Sequence, residues 1–281
     1  MTQPTIEWQV CGVCNYDCSY CIQSKKHRVG HPSADDVERF LAFFATLRGP
    51  WEIKMTGGEP FAFKGFIDRI VPGLVEETPH TLSVLTNLSA PLAILERFAT
   101  MTRGRLAIVS VSLHLEFTTA EEFVAKALRL RALLDPAARL VVNSVLVPGR
   151  LGEVKAARAL VEGAGLRFFP QVMKTKRSVF DYDEDDRARV TELVGISASP
   201  REANLAPSYR GRRCWAGAAY FVLTQTGDAW SCRTAKRSGE GYLGNVLTGE
   251  VTLRDGPTPC AYDICPCTVP ANRGMIEGVG S

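Results

Sequence analysis

Three cysteines within one short run, Cys14-Asn15-Tyr16-Asp17-Cys18-Ser19-Tyr20-Cys21, constrain this chain more than any other feature of it. The spacing C-x3-C-x2-C lets the thiolates of a single loop close on one iron–sulfur cluster. A four-iron cube takes four ligands. Three cysteines therefore leave one iron open to an outside ligand, and an open metal position is where chemistry happens. Two plainer readings of the loop are a zinc knuckle and a reduced cluster of buried thiols, although zinc sites more often combine paired C-x2-C units.

The remaining cysteines sharpen the choice. All nine fall in two groups, within residues 11–21 and 214–267, with none between. Metal ligands distribute in this way, and the pattern fits a reducing cytoplasm better than a disulfide framework. The chain of 281 residues is 46% hydrophobic and 22% charged, enough apolar material for a sizeable core. A net charge of +3 is too mild to argue for nucleic acid. No apolar run reaches the roughly 18 residues of a membrane span. Met1 to Thr5 carries neither a basic flank nor an apolar stretch, so no signal peptide is visible and a cytoplasmic protein is expected.

Hydrophobic periodicity alternates between strand and helix. Strands are predicted at Thr5–Val10, Trp51–Met55, Leu82–Thr86, Arg105–His114, Arg139–Val147 and Leu166–Val172. Between them fall helices at Ala34–Leu47 (N-cap Ser33), Phe66–Glu76, Pro91–Met101, Thr119–Leu134 and Leu151–Ala164. Such alternation predicts parallel βαβ units with right-handed crossovers, and an active site at the C-terminal ends of the strands. The cysteine loop and the turn Thr56-Gly57-Gly58-Glu59-Pro60 both fall there. Residues 174–213 read as a polar connector with a helix at Glu184–Val194. From Cys214 on, Ala219–Thr224 and Ala229–Cys232 read as a hairpin around Gly227-Asp228. The Gly- and Pro-rich tail has too little apolar periodicity to build a core by itself, so a metal cluster is its expected staple.

The cysteine loop, with aromatic Tyr20 before the last cysteine, and Gly57-Gly58-Glu59-Pro60 after the second strand resemble the two signature motifs of radical S-adenosylmethionine (SAM) enzymes, in the same order. The resemblance covers about residues 5–172. It implies a partial (β/α)6 TIM-like barrel over residues 1–173, a 4Fe-4S cluster on Cys14, Cys18 and Cys21, and SAM chelated to the open iron. An electron donor such as flavodoxin or ferredoxin would reduce the cluster. SAM would be cleaved to methionine and a 5′-deoxyadenosyl radical, which abstracts hydrogen from substrate. Residue by residue, Gly57, Gly58 and Glu59 would receive the ammonium of SAM, a charge-assisted contact. Tyr20 would lie near the adenine. Ser110 or Ser112 would contact the ribose or carboxylate, and Asn143, Thr86 and Asn87 are similarly placed. Each of these polar residues is equally readable as a satisfied core group.

The tail resembles the twitch and SPASM extensions of that superfamily. Cys214 and the run Gly227-Asp228-Ala229-Trp230-Ser231-Cys232 match their opening. Five cysteines rather than seven imply one auxiliary iron–sulfur cluster, expected as 4Fe-4S. Cys214 and Cys232 would be ligands, completed from Cys260, Cys265 and Cys267. A β-hairpin and loop module over 214–281 would hold it. Cys11 is left over and reads as a buried bystander thiol.

His114 and Glu116 follow the fourth strand at the active-site end. They read either as groups that bond or exchange protons with substrate, or as a pair fixing the loop. Lys25, Lys26, His27 and Arg28 read as a solvated basic face or as contacts to an anionic substrate. Arg177, Tyr182, Arg210, Arg212 and Arg213 are further substrate candidates without a motif. The substrate is a peptide or a small polar metabolite. With its first strand at about Thr5, the chain is expected to carry no fused peptide-recognition domain, so a peptide would need a separate recognition protein. Two other classes fit the cysteines alone: an iron–sulfur electron-transfer protein without SAM chemistry, and a zinc-binding interaction module. Gly57-Gly58-Glu59-Pro60 speaks against the former, because electron transfer needs no such loop.

Overall fold

On strand β1 (Thr5–Cys11), Ile6, Trp8 and Val10 turn to one side and are fully buried. Trp8 packs on Phe40 and Phe44, with ring centroids 4.9 and 5.0 Å away. Those rings lie on helix α1 (Ala34–Thr46), whose buried residues Val37, Phe40, Leu41 and Phe44 follow one helical stripe. Ser33 and Asp36 form a capping box at its start. The other side of β1 carries Thr5, Glu7 and Gln9. Strand periodicity thus separates an apolar face under the helices from a polar barrel interior.

The structure is a computed structural model and describes residues 3–23, 28–175, 178–195, 203, 205–266 and 269–279. Five more parallel strands follow β1: β2 (Glu52–Gly57), β3 (Thr81–Thr86), β4 (Leu106–Ser112), β5 (Arg139–Leu146) and β6 (Arg167–Val172). Between them lie α2 (Val71–Glu77), α3 (Leu92–Met101), α4 (Ala120–Leu133) and α5 (Leu151–Gly163), with α6 (Glu184–Val194) after β6. The six strands stand in sequence order, the partial TIM-like barrel expected from the alternation. One helix departs from expectation. Phe66–Ile70 is a π-turn that precedes α2. Pro72 has no N–H for the usual i−4 bond, and Val71 instead donates to the Phe66 carbonyl, five residues back.

The C-terminal region does not stand apart from the barrel. The hairpin of β8 (Tyr220–Leu223) and β9 (Asp228–Trp230) forms as expected, but β8 lies parallel to β1, in register from Thr5↔Tyr220 to Trp8↔Leu223. With β10 (Tyr242–Asn245) it extends the sheet to nine strands, in the order β10-β9-β8-β1-β2-β3-β4-β5-β6. The physical reason is the run Tyr-Phe-Val-Leu, buried along its whole length, which needs covering on both faces and finds the open edge of β1. Two buried carboxylates inside the barrel fasten the same region: Glu7 holds Arg233, and Glu52 holds Arg273. A short pair, β7 (Arg213–Cys214) with β11 (Thr258–Pro259), a one-and-a-half-turn helix α7 (Arg233–Ser238) and α8 (Val269–Asn272) complete the chain.

Candidate active site

A cavity of about 260 Å³ opens at the C-terminal ends of the six parallel strands. Each strand end contributes to it: Cys14 after β1, Gly57 on β2, Thr86 on β3, Ser112 on β4, Asn143 on β5 and Gln171 on β6. Cys18 and Cys21 line it as well, so the three loop thiols share one cavity with Gly57, Gly58 and Glu59. This is the mouth of the barrel, where loops rather than core packing define function.

The glycines are demanded by close packing. A Cβ on Gly58 would stand 1.9 Å from the Val13 carbonyl oxygen, and one on Gly57 2.5 Å from that of Cys11. Gly57 also has φ +156°. In this close approach Gly58 donates its N–H to the Cys11 carbonyl at 2.9 Å, and Glu59 donates to Val13 at 2.8 Å. The Gly-Gly turn and the start of the cysteine loop are thereby laced backbone to backbone.

Glu59 is 1% exposed. Its carboxylate accepts from Thr86 Oγ1 at 2.8 Å, from the Asn87 N–H at 2.6 Å and from the Phe61 N–H at 3.2 Å. Burial pushes its pKa up to about 7 against the opposing pull of these bonds. The carboxylate therefore ties β2 to β3 as well as facing the cavity. Asn87 extends the tie, donating through Nδ2 to Asn15 Oδ1 in the cysteine loop at 3.0 Å.

From the other side, His114 Nδ1 lies 2.7 Å from the Tyr20 hydroxyl and 3.5 Å from Cys18 Sγ. Burial lowers the His114 pKa to about 4, despite nearby Glu116, so the imidazole is neutral near pH 7. Glu116 accepts from the Ser19 N–H at 2.9 Å and from its hydroxyl. It does not line the cavity; its geometry is that of a loop anchor. Arg28 also lines the cavity and braces the loop, pairing with Asp17 and donating to the carbonyls of Cys18 (3.3 Å) and Gln23 (3.0 Å).

The remaining candidates divide. Ser112 lines the cavity, and Ser110 does not. Asn143 is 3% exposed and fully engaged. It accepts from Ser112 and Gln171, both at 2.9 Å, and donates to Ser110 at 3.0 Å and the Val111 carbonyl at 3.2 Å. Tyr182 donates to the Leu146 carbonyl at 2.6 Å and is buried. Arg210 pairs with Asp263 on the exposed surface. Neither lines the cavity, nor do Arg212 and Arg213. Lys25, Lys26, His27, Arg177 and Cys267 lie outside the described residues. Sequence reading missed Lys174, Arg233 and Arg237, which also line the cavity. One signal pointed to Arg233: Glu7 is an isolated acid in an otherwise apolar and neutral strand, and a buried acid needs a cation.

The thiol chemistry fits an iron–sulfur cluster. Burial, with the neighbouring Cys21 and Cys14 acting in the same direction, raises the pKa of Cys18 to about 12. Cys14 is raised by burial too, with Cys21 adding to it. Thiols gathered so that they oppose one another's ionisation are stabilised as thiolates by metal. Cys11 differs. It is fully buried, burial raises its pKa to about 12, and its Sγ–H is directed to the carbonyls of Glu59 (3.5 Å) and Val13 (3.7 Å). Among the described residues no three His, Cys, Asp or Glu converge on a single metal ion. Ligands of a cubane sit on separate irons and need not converge in that way.

In the C-terminal region Cys214 and Cys265 pack around the cluster Tyr209, Ala271 and Ile276, and Cys232 and Cys265 around Tyr220, Val222, Val269 and Met275. Cys232 also caps α7, accepting from the Ala235 N–H at 3.3 Å. Cys260 donates its N–H to the Arg212 carbonyl at 2.9 Å, two positions along the ladder from the Thr258↔Cys214 pair.

Fold and site together define a partial-barrel protein with a cluster-spaced thiol loop and a glycine-lined cavity at its mouth. The chain belongs to the radical SAM superfamily, whose family profile matches residues 8–149. Membership implies a 4Fe-4S cluster and SAM. Among curated proteins it is similar to the GTP 3′,8-cyclases of Shewanella denitrificans (36% identical over 76 residues, 26% of this chain and 22% of that one) and Pectobacterium atrosepticum (37% over 82 residues, 27% and 24%). The similarity spans about a quarter of the length of these relatives. Among solved structures it resembles Streptococcus suis SuiB bound to precursor peptide SuiA (TM-score 0.62, 14% identity, 88% of this chain and 63% of that one). It also resembles anSMEcpe with bound AdoMet (TM-score 0.62, 12% identity, 87% and 78%). At such identities the likeness is one of fold. No helix among the described residues is long and apolar enough to cross a membrane.

Proposed function

We propose that this protein reductively cleaves SAM and uses the resulting radical to take a hydrogen atom from a peptide or a small polar metabolite. The observation that carries the reading is the meeting of Cys14, Cys18 and Cys21 with Gly57, Gly58 and Glu59 in one cavity at the strand ends. Bound on the three thiolates, a reduced 4Fe-4S cluster would supply the electron for reductive cleavage of SAM. The protein's own share is binding and orientation. Gly57 and Gly58 bring backbone to the cavity wall without side chains. Glu59, with an ordinary carboxylate's charge restored by an approaching ammonium, fixes the amino end of SAM. Ser112 offers a hydroxyl from β4. Tyr20, held by His114, forms the aromatic wall beside the last cysteine.

Cys214 and Cys232, with two of Cys260, Cys265 and Cys267, are proposed to hold an auxiliary iron–sulfur cluster of the twitch or SPASM type that accepts the second electron. The packing of Cys214, Cys232 and Cys265 around adjoining apolar clusters supports this reading. The precursor peptide in the SuiB complex supports a peptide substrate, and the cyclase similarity supports a small molecule. The test is anaerobic reconstitution with iron and sulfide, then SAM and dithionite. 5′-Deoxyadenosine is expected, and its absence under every reductant would refute the reading. Deuterium carried from labelled candidate substrates into 5′-deoxyadenosine identifies the hydrogen donor.

A further inference from the structure

Of the three loop thiols, Cys18 is the buried one, at 7% exposure, while Cys14 is half-buried and Cys21 exposed. Charge on the Cys18 sulfur has the least help from water, so a hydrogen-bond donor counts for most there. His114 stands at that sulfur, with Nδ1 3.5 Å from Cys18 Sγ. Its backbone is set by the barrel. The Leu113 N–H donates to the Asn143 carbonyl at 2.8 Å, the Ser144 hydroxyl to the Leu113 carbonyl at 3.2 Å, and the Phe117 N–H to the His114 carbonyl at 2.9 Å. Tyr16 meets the imidazole edge-on and Tyr20 stacks on it, each with ring centroids 5.9 Å away. A group held in place beforehand loses little freedom in making its bond.

The direction of this bond depends on what Cys18 carries. A free thiol can donate its own proton to Nδ1. A thiolate bound to iron can only accept. The sulfur and Nδ1 would then face each other as two lone pairs, unless the neutral imidazole carries its proton on Nδ1. Nε2 has no hydrogen-bond partner among the described residues, so giving up its proton breaks no bond. A cluster on the loop therefore selects the Nδ1–H tautomer. The Tyr20 oxygen, 2.7 Å from the same nitrogen, shares that N–H and keeps the ring in place.

We propose that His114 donates from Nδ1 to the Cys18 sulfur and thereby raises the reduction potential of the loop cluster. Reduction adds one electron, taken from an external low-potential donor, and no bond or proton is exchanged. The added negative charge is shared by the sulfurs, so a donor at one of them stabilises the reduced cluster more than the oxidised one. His114 acts through Cys18 and is a positioning residue. This role rests on the proposed function for the cluster on Cys14, Cys18 and Cys21, and does not need SAM.

The test is an anaerobic redox titration of the reconstituted protein without SAM, read by electron paramagnetic resonance. The signal missing from Cys14→Ala identifies the loop cluster. In His114→Leu the ratio of reduced to oxidised loop cluster at a fixed potential is expected to fall about tenfold, a shift of about 59 mV for one electron. His114→Asn, whose amide nitrogen stands in for Nδ1, is expected to match the parent. In parent protein grown on histidine labelled with the heavy nitrogen isotope, the reduced loop cluster is expected to show a nitrogen coupling that the label alters and that His114→Asn lacks. This measurement decides the matter even where His114→Leu fails to retain its cluster. The proposal is overturned by a parental or higher potential in iron-replete His114→Leu, by the absence of a label-dependent coupling, or by a parent whose loop holds no iron. Failure of the radical SAM reading is seen separately, as absence of 5′-deoxyadenosine with SAM and dithionite while the shift in potential and the coupling persist.

Discussion

Tyr20 Oη and His114 Nδ1 lie 2.7 Å apart, so the residue before the last cysteine of the loop is held by a histidine 94 positions further along the chain. The rings are also stacked, with centroids 5.9 Å apart. Both side chains are largely shielded from water, where a hydrogen bond lost from one partner costs about 1–3 kcal/mol. His114→Ala is therefore expected to loosen the loop and to slow SAM cleavage roughly tenfold even without substrate, about 1.4 kcal/mol on the barrier. Tyr20→Phe, which removes only the hydroxyl, is expected to reproduce most of the effect. If His114 instead exchanged protons with substrate, uncoupled cleavage would be untouched and product formation alone would fall. Measuring 5′-deoxyadenosine with and without substrate separates the two.

Glu7 joins β1 to the C-terminal region through Arg233. Burial alone would raise its pKa, but Arg233 and Lys54 overcome that and hold it at about 2, below its ordinary 4.5. A depressed carboxylate contributes stability that is full above pH 4.5 and is lost as pH falls from about 4.5 toward 2. The shift corresponds to about 3 kcal/mol. Glu7→Gln also strands the Arg233 charge, so a loss of about 3–5 kcal/mol is expected at pH 7. Between pH 7 and pH 3 the gap between parent and variant is expected to shrink by about 2 kcal/mol. Urea denaturation of the cluster-free chain checks this, since acid protonates cluster ligands. A gap independent of pH would count against the pair.

The barrel was legible because apolar residues recur with period 2 and 3.6, as in Thr5–Cys11 and Ala34–Thr46. The cysteine loop was legible because its three cysteines fall within the eight residues Cys14–Cys21. What was not legible depends on contacts between distant parts of the chain. Nothing local says that Tyr220–Leu223 pairs with Thr5–Trp8, since a short apolar run fits an isolated hairpin as well as a sheet edge. Likewise Glu116, at the catalytic end of a strand, is indistinguishable in sequence from a substrate-facing acid, yet its partner is Ser19 of the cysteine loop. Arg233 and Arg237 were hidden in an unremarked charged segment because a helix of six residues has too few turns to show a face.

Gly58 tests the contact between turn and loop. A methyl there would overlap the Val13 carbonyl at 1.9 Å, and backbone cannot swing aside as a side chain can. Gly58→Ala is expected to displace the start of the cysteine loop, cost about 1–3 kcal/mol and lower iron retention after reconstitution. Gly163→Ala is the control. It lies at the end of α5, with nothing within 4 Å of the added carbon, and is expected to be neutral or slightly stabilising. Equal iron content in the two variants would show that the close approach does not shape the site.

Cys11 and Cys14 stand three positions apart, yet Cys11 is fully buried while Cys14 lines the cavity as a proposed cluster ligand. Cys11 Sγ–H is directed to the carbonyls of Val13 and Glu59, and burial keeps it protonated. A thiol in that state neither needs a metal nor reaches one without breaking two contacts. Cys14, Cys18 and Cys21 line the cavity, and burial together with the neighbouring thiols opposes the ionisation of Cys14 and Cys18. With two four-iron clusters the parent is expected to bind about eight irons per chain. Cys14→Ala is expected to lower this to about four and to abolish SAM cleavage. Cys232→Ala is expected to lower it to about four while 5′-deoxyadenosine still forms, because Cys232, a proposed auxiliary ligand, does not line the cavity that holds Cys14, Cys18 and Cys21. Cys11→Ala is expected to keep about eight irons and to lose stability through the cavity left in a fully buried position. Iron analysis, with a thermal melt for Cys11→Ala, decides all three. A loss of iron in Cys11→Ala comparable to that in Cys14→Ala would assign Cys11 to the cluster after all.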